Sequence, residues 1–127
     1  MLRFIHASDL HLGNSGPGTL GLSKEWRERI ANAAYQAMET LIEKAIALEV
    51  DFVLFSGDVL DTKTPTLKSQ VELYRGLTRL SEAGIKVFMV GGNHDPLNIS
   101  RAQSKLPAGV HFFGAELETI PFIKDGV

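Results

Sequence analysis

The sequence predicts an α/β fold with a parallel βαβαβ core, and three observations support this fold class. Three short apolar runs, rich in side chains that favour strands, occupy residues 2–7, 51–55 and 86–90. Two longer segments with helical spacing lie between these runs, and a short polar cluster follows each run. Because strands that alternate with helices pair in parallel through right-handed crossovers, we expect helices to cover both faces of the sheet.

The first helix is predicted over residues 23–49, with Ser23 suited to cap its start and Glu25 suited to interact with the helix dipole. Charged residues fall mostly between its apolar positions, which recur three or four residues apart. These positions are Trp26, Ile30, Ala34, Ala37, Leu41, Ala45 and Leu48.

The second helix is predicted to begin with Thr64 as its N-cap and Pro65 as its first residue, and to end at Gly84. Its predicted buried stripe consists of Leu67, Val71, Tyr74, Leu77 and Leu80.

Beyond residue 95 the pattern is weaker. It predicts a short helix over 98–105, a strand over Val110–Phe113 and another strand over 118–123. Lys124-Asp125-Gly126 is a hairpin-turn signal, after which a returning strand would begin at Val127. We therefore expect the chain to be one lobe of a larger domain.

Composition excludes several classes of protein. A chain of 127 residues with 44% hydrophobic residues can form one ordinary globular domain and is not a disordered segment. It contains no apolar run of transmembrane length and no signal peptide, which predicts a cytoplasmic protein with no membrane partner. The absence of cysteine excludes disulfides, thiolate metal sites and a cysteine nucleophile. With a net charge of -2, any affinity for DNA must come from local patches, bound cations or residues outside this chain.

The three polar clusters contain residue types that bind metals. Asp9 and His11 follow the first run, Asp58 follows the second, and Asn93, with His94 and Asp95 beside it, follows the third. Each cluster alone is compatible with an ordinary turn. Asp61 and Thr62 are as compatible with capping a helix as with orienting the loop through hydrogen bonds. Ligands bind outside the carboxyl ends of parallel strands, where all three clusters fall together. Their coincidence predicts a metal site.

In order and approximate spacing, the clusters resemble the first three motifs of the calcineurin-like metallophosphoesterases. The matching segments are Asp9-Leu10-His11, Gly57-Asp58-Val59-Leu60-Asp61 and Gly92-Asn93-His94-Asp95. Within that superfamily, the flanking segments 4–12 and 50–61, the latter followed by Pro65, resemble the DNA-repair exonucleases of the SbcD type. The implied fold is the first lobe of the metallophosphoesterase α/β/β/α sandwich, with residues 1–127 as an incomplete, N-terminal part of that domain.

The resemblance also implies a role for each site residue. Asp9 and His11 would bind one divalent metal ion, Asp58 would bridge two, and Asn93 would bind the second. His94 would contact the scissile phosphate and protonate the leaving oxygen, with Asp95 orienting it. The two ions would be manganese, with iron and zinc as alternatives.

The implied activity is two-metal hydrolysis of DNA, and the implied partners are DNA, a coiled-coil ATPase and a second copy of the chain. The family pattern continues with a Gly-His and a Gly-His-x-His motif, but no histidine follows His111. We therefore expect the chain alone to bind metal weakly and to be inactive, and we interpret His6 and His111 as histidines of the sheet. Two alternatives remain: an enzyme for small phosphodiesters or phosphomonoesters, and a non-catalytic binding scaffold of the same fold.

Overall fold

The computed structural model describes residues 1–13, 21–60, 65–92 and 106–126. Its elements, in chain order, are β1 (Phe4–Ser8), α1 (Lys24–Ala47), β2 (Phe52–Ser56), α2 (Leu67–Glu82), β3 (Lys86–Val90) and β4 (Val110–Phe113). The four strands form one parallel sheet in the order β1-β2-β3-β4. The predicted α/β class and parallel core are therefore confirmed, as are β3 and β4 with their predicted bounds.

The register of the sheet aligns the strand ends. Ser8 lies opposite Ser56, and Ser56 lies opposite Val90. The chain therefore leaves β1, β2 and β3 at the same level, and the residues that follow these strands start from one edge of the sheet.

Helix α1 begins where the sequence predicts. The Ser23 hydroxyl accepts a hydrogen bond from the Trp26 backbone N–H, and Glu25 lies in the first turn. The buried residues of α1 are Met38, Ile42 and Ala45, whereas Trp26 is 56% exposed and Ile30 is 41% exposed. Of the predicted apolar positions, Ala45 is buried and Ala34 and Leu41 are partly buried against the core. The prediction is wrong at the exposed positions, which are Trp26, Ile30, Ala37 and Leu48.

Helix α2 begins later than predicted. Its N-cap is Thr66, whose hydroxyl accepts a hydrogen bond of 3.1 Å from the Ser69 backbone N–H. Pro65 lies one residue before this cap, and Thr64 lies outside the described residues. The helix ends at Glu82, and Gly84 follows with a φ of +75°, so the predicted terminating role of Gly84 is confirmed.

Helices α1 and α2 pack against each other, since a Cβ at Gly76 of α2 would lie 2.4 Å from Met38 Cε of α1. They also pack against the same face of the sheet, because buried residues of both helices belong to one core. Both contribute to the core that contains Val53, Phe55 and Val87. Right-handed crossovers that all step in one direction along a sheet place their helices on one face. The expectation that helices cover both faces is therefore wrong for the part of the chain that the structure describes.

The opposite face of the sheet carries a row of aromatic side chains. The Phe4 and Phe52 rings stack with centroids 5.0 Å apart, and Phe52 contacts Phe88 at 5.9 Å. Phe88 in turn lies 6.3 Å from Phe113. Phe4 is 55% exposed, so this face remains partly open within the described residues.

The segment after β4 lies against this sheet without extending it. The predicted strand over 118–123 is wrong, since Pro121 lacks the N–H that a strand interior requires. Instead, the Phe122 ring lies 5.1 Å from the Phe52 ring. Asp125 and Gly126 have φ values of 54° and 78°, so the predicted turn is present.

Two further features of the fold bear on the predictions. The predicted helix over 98–105 lies outside the described residues. In the described part of the chain, neither helix has the length and apolar character needed to cross a membrane.

Candidate metal centre

The ends of β1 and β2 are joined by backbone hydrogen bonds that continue past the strands. The Asp9 N–H donates to the Gly57 carbonyl at 3.3 Å, and the His11 N–H donates to the Asp58 carbonyl at 2.9 Å. The Leu12 N–H then donates to the Val59 carbonyl at 2.9 Å. These bonds hold the first two polar clusters side by side.

Asp9, His11 and Asp58 form a group whose potential ligand atoms all lie within 4.8 Å of one another. We call this group the ligand cluster. The His11 Nε2 atom lies 3.8 Å from Asp9 Oδ1, with 32% of the His11 side chain and 65% of the Asp9 side chain exposed. The site is therefore open to solvent on the Asp9 side.

All three residues of the ligand cluster have a left-handed backbone. The φ values are 55° for Asp9, 46° for His11 and 42° for Asp58. Among the described residues, Glu49 and Asp125 are the other non-glycine positions with positive φ. This conformation is uncommon outside glycine and is enriched at functional sites, where surrounding contacts enforce it. Here the hydrogen bonds between the ends of β1 and β2 supply those contacts.

The donor set of the ligand cluster fits a divalent metal ion. An imidazole nitrogen and two carboxylates are ligands that manganese, iron and zinc accept. Protein donors lie about 2.1 Å from such ions, so atoms within 4.8 Å of one another need only small side-chain rotations to share a cation. The third residue, Asp58, can also connect two neighbouring cations, because a carboxylate has two oxygens.

The first turn of α2 supports the loop after His11. Gly13 has a φ of +87°, and a Cβ there would lie 3.2 Å from Ser69 Cβ and 3.6 Å from the Tyr35 hydroxyl. Ser69 is fully buried. Burial raises the pKa of Tyr35, while a hydrogen bond with Thr66 opposes that rise. This support could not be predicted from the sequence, because nothing in the sequence indicates that Ser69 is buried.

The other polar residues that the sequence singles out divide into two groups. Asn93, His94 and Asp95 lie outside the described residues, as do Asp61 and Thr62. His6 and His111 lie within β1 and β4, as predicted for histidines of the sheet, and neither belongs to the ligand cluster.

The two strand histidines have their own partners. His6 Nε2 lies 2.6 Å from the Ser56 hydroxyl. His111 Nε2 lies 3.1 Å from a Glu118 carboxylate oxygen, and its ring contacts the Phe113 ring at 4.8 Å. His6 therefore has a hydrogen-bond partner within the sheet, whereas the buried His111 Nε2 atom makes no hydrogen bond within the described residues despite its proximity to Glu118.

Comparison with known proteins agrees with this architecture. The family model of the calcineurin-like phosphoesterases matches residues 2–125. The uncharacterized metallophosphoesterase YhaO of Bacillus subtilis is 36% identical over 126 residues, which cover 98% of this chain and 31% of that protein. The DNA double-strand break repair protein Mre11 of Methanosarcina mazei is 32% identical over 95 residues, or 74% of this chain and 14% of the relative.

The SbcD component of the nuclease SbcCD of Escherichia coli is 31% identical over 104 residues, which cover 79% of this chain and 24% of that component. The chain thus spans less than a third of the length of each of these three relatives. The match to the family model nevertheless covers nearly all of the chain, including the ligand cluster. The chain therefore belongs to the calcineurin-like phosphoesterase family.

Proposed function

We propose that this chain carries the N-terminal ligands of a two-metal phosphodiesterase that hydrolyses DNA. The observation that carries the proposal is the convergence of Asp9, His11 and Asp58 at the carboxyl end of a parallel sheet. The names of two groups of relatives, the repair protein Mre11 and the nuclease SbcCD, support DNA as the substrate. Residues 1–127 would then form the N-terminal part of a metallophosphoesterase domain.

In this proposal Asp9 and His11 hold one cation, Asp58 is shared between two, and Asn93 holds the second. When bound, such a pair of cations supplies an activated water as nucleophile and neutralises charge on the phosphate. His94 donates a proton to the leaving oxygen, and Asp95 orients the His94 ring. We propose manganese as the metal, with iron and zinc as alternatives that the same donors accept.

The proposed setting is cytoplasmic, with a coiled-coil ATPase and a second copy of the protein as partners. DNA would approach the edge of the sheet where the ligand cluster lies. Because the chain spans only part of each relative, we propose that the 127-residue chain alone is inactive on DNA.

The test is an assay of the full-length natural protein on linear duplex DNA with manganese. We expect degradation in manganese, its loss after chelation, and a loss of about a hundredfold or more in Asp58→Asn and in His94→Ala. The matched control is Asp125→Asn, which makes the same change at another position with positive φ, outside the ligand cluster. Undiminished activity in Asp58→Asn would overturn the assigned role.

The same preparations separate the alternative functions. A small chromogenic phosphodiester should be hydrolysed far more slowly than DNA if DNA is the substrate class. Hydrolysis of the small diester with no cleavage of DNA would instead indicate an enzyme for small substrates. A protein that binds no divalent metal and cleaves neither substrate would be a scaffold.

A further inference from the structure

Gly92, which lies two residues beyond β3, is in direct contact with Asp58 of the ligand cluster. A Cβ placed on Gly92 would lie 2.2 Å from Asp58 Oδ1 and 2.7 Å from Asp58 Cγ. It would also lie 2.6 Å from the Asp58 backbone nitrogen. Contacts between carbon and another heavy atom are favourable only at about 3.5–4.0 Å, so even the smallest side chain does not fit here.

The requirement for glycine at position 92 is one of space. The φ of Gly92 lies outside the left-handed region, so no positive φ requires glycine there. Gly57, the neighbour of Asp58, shows the opposite case. Its φ is +74°, but a Cβ there would meet nothing closer than Gly92 Cα at 3.8 Å. Substitution of Gly57 therefore strains the backbone, whereas substitution of Gly92 displaces a neighbour.

The backbone of Asp58 has little freedom to yield to such a displacement. Its carbonyl accepts the His11 N–H at 2.9 Å, which joins it to the end of β1. On the other side, the Gly57 N–H donates to the Val90 carbonyl at 2.9 Å, which joins the end of β2 to β3. Hydrogen bonds from β1 and β3 thus hold the backbone around Asp58 in place, and Gly92 contacts Asp58 on the side towards β3.

We propose that Gly92 is a positioning residue that sets the place of the Asp58 carboxylate within the ligand cluster. A methyl group at position 92 forces either a rotation of the Asp58 side chain or a separation of the ends of β2 and β3. Either movement changes the position of the carboxylate relative to Asp9 and His11. The inference rests on the proposed function in so far as Asp58 holds metal.

Metal binding is the first test, measured by calorimetric titration of the full-length natural protein with manganese chloride. We expect Gly92→Ala to bind manganese about tenfold or more weakly, the loss typical of residues that support a metal ligand. The matched control is Gly114→Ala, because Gly114 follows β4 directly and a Cβ there meets nothing within 4 Å. Wild-type affinity in Gly92→Ala would overturn the inference.

A second measurement needs no metal and remains informative if Gly92→Ala is destabilised. Urea unfolding midpoints are compared for wild type, Gly92→Ala, Asp58→Gly and the double variant, all in chelator. We expect Gly92→Ala to lower the midpoint in wild type. In Asp58→Gly the decrease should be smaller, because the contacts of the methyl group with the Asp58 side chain are gone and only its contact with the backbone nitrogen of residue 58 remains. An equal decrease in both backgrounds would contradict the contact with the Asp58 side chain and, with it, the positioning role of Gly92.

The two measurements separate the inference from the proposed function. If the wild-type protein binds no manganese, iron or zinc, the proposed function is wrong, and the unfolding cycle still decides whether Gly92 positions Asp58. If wild type and Gly92→Ala bind metal equally, the proposed function stands and the inference is wrong.

Discussion

At the scale of residues, the site combines ligand chemistry with a strained backbone. Asp9, His11 and Asp58 each have positive φ, a conformation that costs a non-glycine residue on the order of 1–3 kcal/mol. Hydrogen bonds between the ends of β1 and β2 offset this conformational cost. The ligand types could be predicted from the sequence, because Asp and His stand at strand ends. The left-handed backbone could not, because only the neighbouring strand enforces it.

A second residue-scale feature lies at the opposite end of the sheet. The Asp51 carboxylate lies 2.7 Å from Lys124 Nζ and accepts a hydrogen bond of 2.8 Å from the Arg3 backbone N–H. The hydrogen bond with Lys124, followed by that from Arg3, lowers the pKa of Asp51 below its ordinary value of 3.8. Asp51 thus links the start of β2 to the segment after β4.

This arrangement predicts an acid-sensitive contribution to stability. Because the folded state favours the Asp51 carboxylate, its contribution is fully present above pH 3.8 and is lost as the pH falls through the lower, folded-state pKa. Urea unfolding between pH 6 and the acid range should show a smaller acid-induced decrease in Asp51→Asn than in wild type. Asp125→Asn, at an exposed turn, is the control. Equal acid slopes in Asp51→Asn and wild type would contradict the assignment.

At the scale of elements, the spacing of apolar residues predicts where a helix forms better than it predicts which face of the helix is buried. In α2 the predicted buried residues Leu67, Val71 and Tyr74 are exposed by 77%, 47% and 50%. The buried face instead includes Gly76, which faces α1, and Ser69, which lies next to Gly13, and neither residue carries a hydrophobic signal. The sequence of α2 contains two overlapping sets of residues at helical spacing, and packing against α1 determines which set is buried.

Two leucine substitutions in α2 test that rotation. Leu80 is fully buried and Leu67 is 77% exposed, although the sequence predicts both to be buried. Leu80→Ala should lower the free energy of unfolding by about 2–5 kcal/mol through lost burial and a residual cavity. Leu67→Ala, as the matched control, should change it by less than about 0.5 kcal/mol. Chemical denaturation measures both, and comparable losses in the two variants would show that the helix is rotated differently.

At the scale of the whole molecule, the strand order determines where function lies. The order β1-β2-β3-β4 runs without reversal, which places α1 and α2 on one face and leaves the aromatic row on the other. Parallel pairing could be predicted from alternating strands and helices, and with it the meeting of the first two clusters at one edge. The contact between Gly92 and Asp58 could not, since it depends on how closely two strand ends approach.

The measurement that tests the central claim most directly is calorimetric titration of the full-length natural protein with manganese. If Asp9, His11 and Asp58 hold the metal, wild type and Asp125→Asn should bind with the same affinity, and Asp58→Asn should bind about tenfold or more weakly. Identical isotherms for Asp58→Asn and wild type would contradict the account, because the ligand cluster would then not be where the metal binds.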